Sequence, residues 1–163
     1  MAEIVVREAI GEEDVEAVRM LLERYGEYLT ANPHGAHICI GSYAEELAGL
    51  PKPYAALLLA LIDKKAAGCV ALKPISQSAV KERACEMKRL WVDAEFRGLA
   101  LGRRLVEEAI AWAKRTGHEA IYLDTVPAAF PEASRIYRAM GFVQVERYND
   151  NPVADVMFFR LGL

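Results

Sequence analysis

Apolar positions along the chain follow two periods. Ile4 to Glu8 is a short run of strand character. From Glu12 to Leu29, apolar Val15, Val18, Leu21 and Leu22 recur three and four residues apart, which predicts an amphipathic helix. The stretch ANPHG that follows is turn chemistry. Ser42 to Ala48 predicts a second helix, with Ser42 as N-cap and Glu45 completing a capping box. Tyr54 to Ile62 and Ala66 to Pro74 are apolar runs joined by Asp-Lys-Lys, the pattern of a hairpin, and Ser76 to Arg83 is a polar link. Ala84 to Val92 reads as a strand with Cys85, Met87 and Trp91 on one face and Glu86, Leu90 and Val92 on the other. Gly102 to Thr116 carries a helical stripe of Leu105, Val106, Ala109, Ile110 and Ala113, closed by Gly117. Ala120 to Thr125 is a strand. Pro131 opens a helix at its first position and Gly141 stops it. Phe142 to Arg147 and Val153 to Leu161 are closing strands. This order, with about seven strands and four helices, predicts a mixed α/β (α+β) sheet in one domain, 1–163.

Composition narrows the function. At 163 residues, 53% hydrophobic and 26% charged, the chain can build a sizeable core. A net charge of −3 argues against a broad nucleic-acid face. Arg97, Arg103 and Arg104 still form a local basic patch. Cys39, Cys69 and Cys85 are widely spaced and form no CxxC. The last two sit in apolar runs, so reduced core thiols and a cytoplasmic setting are expected. The first residues, MAEIVVREAI, carry acids where a signal peptide would carry lysines. The longest apolar run is too short to span a bilayer, so no membrane partner is expected.

The stretch FRGLALGRRL, Phe96 to Leu105, holds the first chemistry. A strand, a glycine turn and a helix start lie in sequence, which is the physical recipe for a pyrophosphate cradle. Backbone N–H groups from Leu99 to Arg103 would point outward, with Arg97 and Arg103 adding charge-assisted bonds. The stretch fits neither the dinucleotide fingerprint nor the Walker loop. On spacing alone, an anion cradle and a plain strand-to-helix turn with solvated arginines both stand.

RGLALG, Arg97 to Gly102, resembles the Arg/Gln-x-x-Gly-x-Gly/Ala signature of the GCN5-related N-acetyltransferases, the GNAT superfamily, with Ala100 at a position where the family takes a small residue. FPEASRIYRAMGF, Phe130 to Phe142, resembles that superfamily's second signature, a helix reading Asn-x-x-Ala-x-x-Leu-Tyr-x-x-x-Gly-Phe. Ala133, Ile136, Tyr137, Gly141 and Phe142 match in register, and Phe130 replaces the Asn. The resemblance implies a GNAT-like sheet that splays into a V between the fourth and fifth strands and takes acetyl-CoA as co-substrate. The pyrophosphate would rest on Arg97, Gly98, Leu99, Ala100, Leu101, Gly102 and Arg103. The pantetheine arm would pair with the backbone of Leu90, Trp91 and Val92 as an added strand does. That strand often carries a bulge in the family, which bears on the side-chain faces near Glu86.

Acetyl transfer to an amine requires a base, a polarised carbonyl and an acid. An ammonium with a pKa of roughly 10 is a poor nucleophile at neutral pH until a base helps. Glu86, a charge among the apolar Cys85 and Met87, is the candidate base; the alternative is a surface pair with Lys88 or Arg83. Tyr137 shares a helical face with Ala133, Ile136 and Met140, which by spacing is core packing. The resemblance instead places it near the CoA sulfur as the acid. The Val92 N–H would polarise the thioester carbonyl. His34 and His37 flank the loop that lines the acceptor site in such enzymes, yet two loop histidines are no metal site without acids at ligand spacing, and no metal is expected. Tyr148 and Asn149, in the polar stretch YNDNPVAD, and Asp124 are acceptor-side candidates; ordinary turn chemistry for the first two and capping of the next turn for Asp124 are the alternatives. Trp91 and Trp112 read as packing residues. The apolar tail VMFFRLGL is either a homodimer surface or a central strand.

The expected activity is acetyl-CoA-dependent N-acetylation of a small-molecule or peptide amine by direct attack in a ternary complex, since no cysteine sits in a nucleophile setting. The rivals are a non-catalytic CoA-binding module and a phosphometabolite-binding domain of another class.

Overall fold

A computed structural model describes residues 1–34 and 42–163 of the chain. His37 and Cys39 lie outside the described residues. In chain order the elements are β1 (Ile4–Glu8), α1 (Gly11–Ala31), α2 (Tyr43–Gly49), β2 (Ala56–Ile62), β3 (Lys65–Pro74), β4 (Ala84–Val92), α3 (Leu101–Arg115), β5 (Ala120–Thr125), α4 (Pro131–Ala139), β6 (Val143–Val145) and β7 (Met157–Gly162). The seven strands make one sheet in the order β1-β2-β3-β4-β5-β7-β6. Helix α1 packs on β3 and β4 from one face and α3 packs on them from the other. With both faces covered, β2 and β3 read as nearly continuous apolar runs. Leu58, Leu72, Leu105 and Ile121 fill the α3 side, and Leu22, Leu59, Cys69 and Trp91 fill the α1 side.

The β2–β3 hairpin turns on Asp63 and Lys64, both at positive φ (47° and 70°), and the strand resumes at Lys65. Ser42 does precede α2, but its side chain makes no capping bond. Its backbone is αR-like (φ −99°, ψ −1°), not the extended form that aims an N-cap side chain at the helix N–H groups. In α3, Trp112 is buried and Ile110 is only partly so, a small rotation of the predicted stripe. The tail enters the sheet between β5 and β6, where Phe159 is fully buried. The closing strands are shorter than predicted. Arg147 donates from one guanidinium nitrogen to the carbonyls of Asn149 (3.2 Å) and Asn151 (2.6 Å), which bends the chain away from β6. Val153 is buried against Val126 and Ala129 ahead of β7.

Two irregularities of β4 position the site. Antiparallel pairing with β3 shifts register by one residue around Arg89, whose φ is +61°. One inserted residue reverses side-chain parity. Cys85 and Met87 face α3, and beyond the bulge Leu90 and Val92 take over that side. Trp91 therefore faces α1, not the side of Cys85 and Met87 that strict alternation predicted. The second irregularity is the splay. β4 and β5 run parallel and pair only from Ala84–Ala120 to Glu86–Tyr122. Past that point β5, which pairs with β7 along its whole length, has no partner on the β4 side, and Met87, Lys88, Trp91 and Val92 pair with β3 alone. The V between the fourth and fifth strands is thus present. Gly68 lets β3 approach the end of β4, since a Cβ there would lie 2.8 Å from the Trp91 carbonyl oxygen.

Candidate active site

A cleft of about 640 Å³ opens where the strands part, and Glu86, Leu90, Asp124, Tyr137, Tyr148 and Asn149 all line it. Four separate segments deliver them: β4, β5, α4 and the β6–β7 connection. Glu86 is 7% exposed. Its Oε2 accepts from the Tyr148 hydroxyl (2.5 Å) and from Asn149 Nδ2 (3.2 Å). Asn149 Nδ2 also donates to Asp124 Oδ2 at 2.7 Å, so one amide ties the two carboxylates together. Lys88 Nζ lies 3.7 Å from Glu86 Oε1, so the pair weighed as an alternative to catalysis exists beside the cluster.

Asparagine chemistry fixes this wall. Asn149 Oδ1 accepts from the Asn151 N–H (3.0 Å) and Asn151 Oδ1 from the Val153 N–H (3.0 Å), successive Asx turns that hold the connection. The Tyr148 ring meets Tyr122 and Phe158 edge-on, and the Tyr122 hydroxyl in turn donates to Glu82. Arg160 clamps Glu82 with two bonds of 2.7 Å. This clamp holds the Glu82 carboxyl down at about 2, against an ordinary value near 4.5, with Tyr122 adding to the effect and desolvation opposing it. The folded pKa lies below the unfolded one, so the stability supplied is complete above that ordinary value and is lost as pH falls toward 2. Glu82→Gln should therefore cost on the order of 2 kcal/mol at neutral pH. Thermal melts from pH 7 to pH 3 should show the gap to wild type closing below about pH 4.

Tyr137 is 6% exposed and its ring packs on Phe142. Burial, reinforced by Tyr25 and Asp124, pushes its hydroxyl well above the ordinary tyrosine range, so it keeps its proton. Among the described residues the hydroxyl makes no hydrogen bond, yet it is not a buried orphan, because it opens onto the cleft.

The edge of β4 supplies backbone. Asp93 N–H donates to the Ala67 carbonyl (2.9 Å). By antiparallel alternation Trp91 also bonds β3, and the N–H groups of Leu90 and Val92 face the splay. Trp91 thus has no backbone groups left for a third strand, contrary to its predicted role. Its indole donates to Asp93 (2.8 Å) and lies 5.0 Å under the Arg97 guanidinium. Leu90 lines the cleft, and Val92 sits beyond it, nearer the loop.

In that loop Gly98 (φ +85°) and Ala100 (φ +58°) are left-handed, which turns the chain into α3 at Leu101. Among the described residues, N–H groups from Gly98 to Arg103 donate to no backbone carbonyl; the first that does is Arg104, to Ala100 (3.1 Å). This row of free donors at a helix N-terminus fits a pyrophosphate. Arg97 Nε meets the Val92 carbonyl at 3.2 Å, and Arg103 pairs with Glu107 at 3.1 Å. Both arginines are exposed, so these contacts are weak and the side chains are free to turn to an anion.

His34 is exposed at the turn after α1 and does not line the cleft. Three features escaped the sequence reading. Phe130, in place of the family Asn, stacks on Tyr25 (5.6 Å, 9°) and closes one side of the cleft. Arg89 is locked by two 3.0 Å bonds to Glu46 beneath the rings of Tyr25 and Tyr43. Lys73 lines the cleft from β3. These depend on the bulge and on pairing across strands, which no local pattern encodes. Cys69 and Cys85 are buried free thiols, and burial pushes the Cys85 thiol up to about 12, an inert setting.

Comparison with known proteins agrees with this fold. Residues 16–142 match the acetyltransferase (GNAT) family. The chain is 33% identical over 156 residues to an uncharacterised N-acetyltransferase of Schizosaccharomyces pombe, covering 93% of this chain and 90% of that one. Its fold is similar to a GNAT-family acetyltransferase of Staphylococcus aureus Mu50 (TM-score 0.74, 18% identity, 98% and 99% of the two chains). It is also similar in fold to a chain of the NatC complex bound to Gag peptide and CoA (TM-score 0.70, 24% identity, 99% of each chain).

Proposed function

The chain belongs to the acetyltransferase (GNAT) family and is an acyltransferase, and from that premise we propose that it moves an acetyl group from acetyl-CoA to a primary amine of a small molecule or peptide by direct attack in a ternary complex. One observation carries this reading: a single cleft joins Glu86, Tyr137 and the open backbone edge of β4. The free N–H row from Gly98 to Arg103 fits the pyrophosphate, and the splay edge at Leu90 and Val92 fits a pantetheine amide. The solved NatC complex, similar in fold, carries CoA and a peptide, which supports the co-substrate and keeps peptide amines within range.

Acetyl-CoA supplies the acyl group as a thioester. Glu86 takes a proton from the acceptor ammonium, freeing the nitrogen lone pair that forms the new N–C bond. The N–H of Leu90 takes the role expected of Val92, because Leu90 lines the cleft and Val92 lies beyond it: it donates to the carbonyl oxygen as negative charge develops there, and the Val92 N–H is left for the pantetheine amide. As the C–S bond breaks, the Tyr137 hydroxyl gives its proton to sulfur, and the second proton shed by the nitrogen as it becomes the neutral amide restores that hydroxyl. The amide and the free thiol of CoA leave, and the proton held by Glu86 returns to solvent. Among the described residues, two buried and inert thiols, Cys69 and Cys85, support the direct route over a covalent acyl-enzyme and fit a reducing, cytoplasmic setting.

Intact-protein mass spectrometry tests the route. The protein should keep its mass with acetyl-CoA alone and release thiol only when an amine is added. A protein that gains an acetyl group before any amine is present would replace direct attack with a two-step transfer.

A further inference from the structure

The walls of the cleft are charged unevenly. Register places Lys73 of β3 directly opposite Glu86 of β4, and Glu86 opposite Tyr122 of β5. Opposed residues share a sheet face, and so do residues two apart on one strand. Lys88 therefore joins Lys73 and Glu86, and Asp124 joins Tyr122, all toward the cleft. Across the floor the order is Lys73 on β3, Glu86 with Lys88 on β4, and Asp124 on β5. The third base in the cleft wall, Arg89, is neutralised by Glu46. Among the described residues Lys73 makes no ion pair, and Lys88 has only the 3.7 Å approach to Glu86. Both lysines are half-buried. A half-buried cation facing a cleft without a close partner is placed to meet an anion.

The geometry points to an acceptor that carries an anion beside its amine: a carboxylate-bearing amine of amino-acid type, with its ammonium between Glu86 and Asp124 and its carboxylate on Lys73 and Lys88. A simple diamine or alkylamine would leave Lys73 unmatched and set a second positive charge before both lysines. The Tyr25–Phe130 stack offers an apolar wall to whatever side chain the acceptor bears. The inference rests on the acetyl-transfer reading of the same site.

Thiol release should be measured with paired acceptors, the amino acids and their decarboxylated amines, with acetyl-CoA binding followed separately by calorimetry. The carboxylate-bearing member of a pair should be preferred at least tenfold in kcat/KM, the value of one well-made charge-assisted contact. Lys73→Met should raise KM for that member about tenfold and leave the decarboxylated partner within about twofold. Lys73→Glu should invert the preference. A merely structural lysine would lower both members alike, and that result overturns the inference. Decarboxylated amines turned over equally or better overturn it too, as does binding of acetyl-CoA with no carboxylate-bearing amine acetylated. Failure to bind acetyl-CoA at all would instead sink the acetyl-transfer reading beneath it.

Discussion

Tyr137→Phe should lower kcat by roughly 10²–10³-fold while acetyl-CoA affinity stays within about twofold. The substitution removes one oxygen from a side chain that is otherwise core packing against Phe142. Because the hydroxyl has no hydrogen-bond partner among the described residues, no bond is lost on folding and the melting temperature should hold. Burial keeps that proton on oxygen, so the loss should be flat across neutral pH. It should shrink with thioesters whose thiols are more acidic, since a better leaving group needs less protonation. Steady-state kinetics with two such thioesters checks this. An unchanged kcat would return Tyr137 to the core-packing role that its helical spacing alone implied.

The second large effect is at Glu86. Glu86→Gln keeps the shape and the hydrogen-bonding reach toward Asn149 but removes the proton acceptor. A loss of about 10²-fold or more at neutral pH is expected. The amine deprotonates unaided as pH approaches its own pKa of roughly 10, so the deficit should narrow steadily toward high pH. The bridge through Asn149 makes Asp124 the natural competitor for the role, at 2.7 Å from the same amide. Asp124→Asn is expected to raise the acceptor KM more than it lowers kcat. The reverse pattern, with Asp124→Asn losing kcat and gaining rate at high pH, would move the base across the cleft.

Much of this fold was legible locally. The β1, β4 and β5 boundaries match the prediction, because each is an apolar run with turn chemistry at its ends. The start of α4 was announced by Pro131 and its end by Gly141, at φ +97°. The turn into α3 could be read because its backbone needs, Gly98 and a small residue at Ala100, are written in residue type. Parity beyond Arg89 could not be read, since a bulge depends on how β3 pairs, and this is why Trp91 was placed on the wrong face. The Asn149 bridge between Glu86 and Asp124 joins residues far apart in sequence, and only the assembled sheet brings them together. The clamp of Glu82 by Arg160 escaped for the same reason. Glu86 and Tyr137 were singled out by opposite routes, one as a charge where burial is expensive, the other through resemblance against the bland reading of its spacing.

The most direct test of the central claim is isothermal titration of the purified protein with acetyl-CoA, CoA and ATP in parallel. The cleft and the loop from Gly98 to Arg103 together predict binding of both CoA species, because pantetheine and pyrophosphate are both recognised, and little or no binding of ATP. Equal binding of ATP would reduce the loop to a general anion site. No binding of acetyl-CoA would contradict the acetyltransferase reading outright.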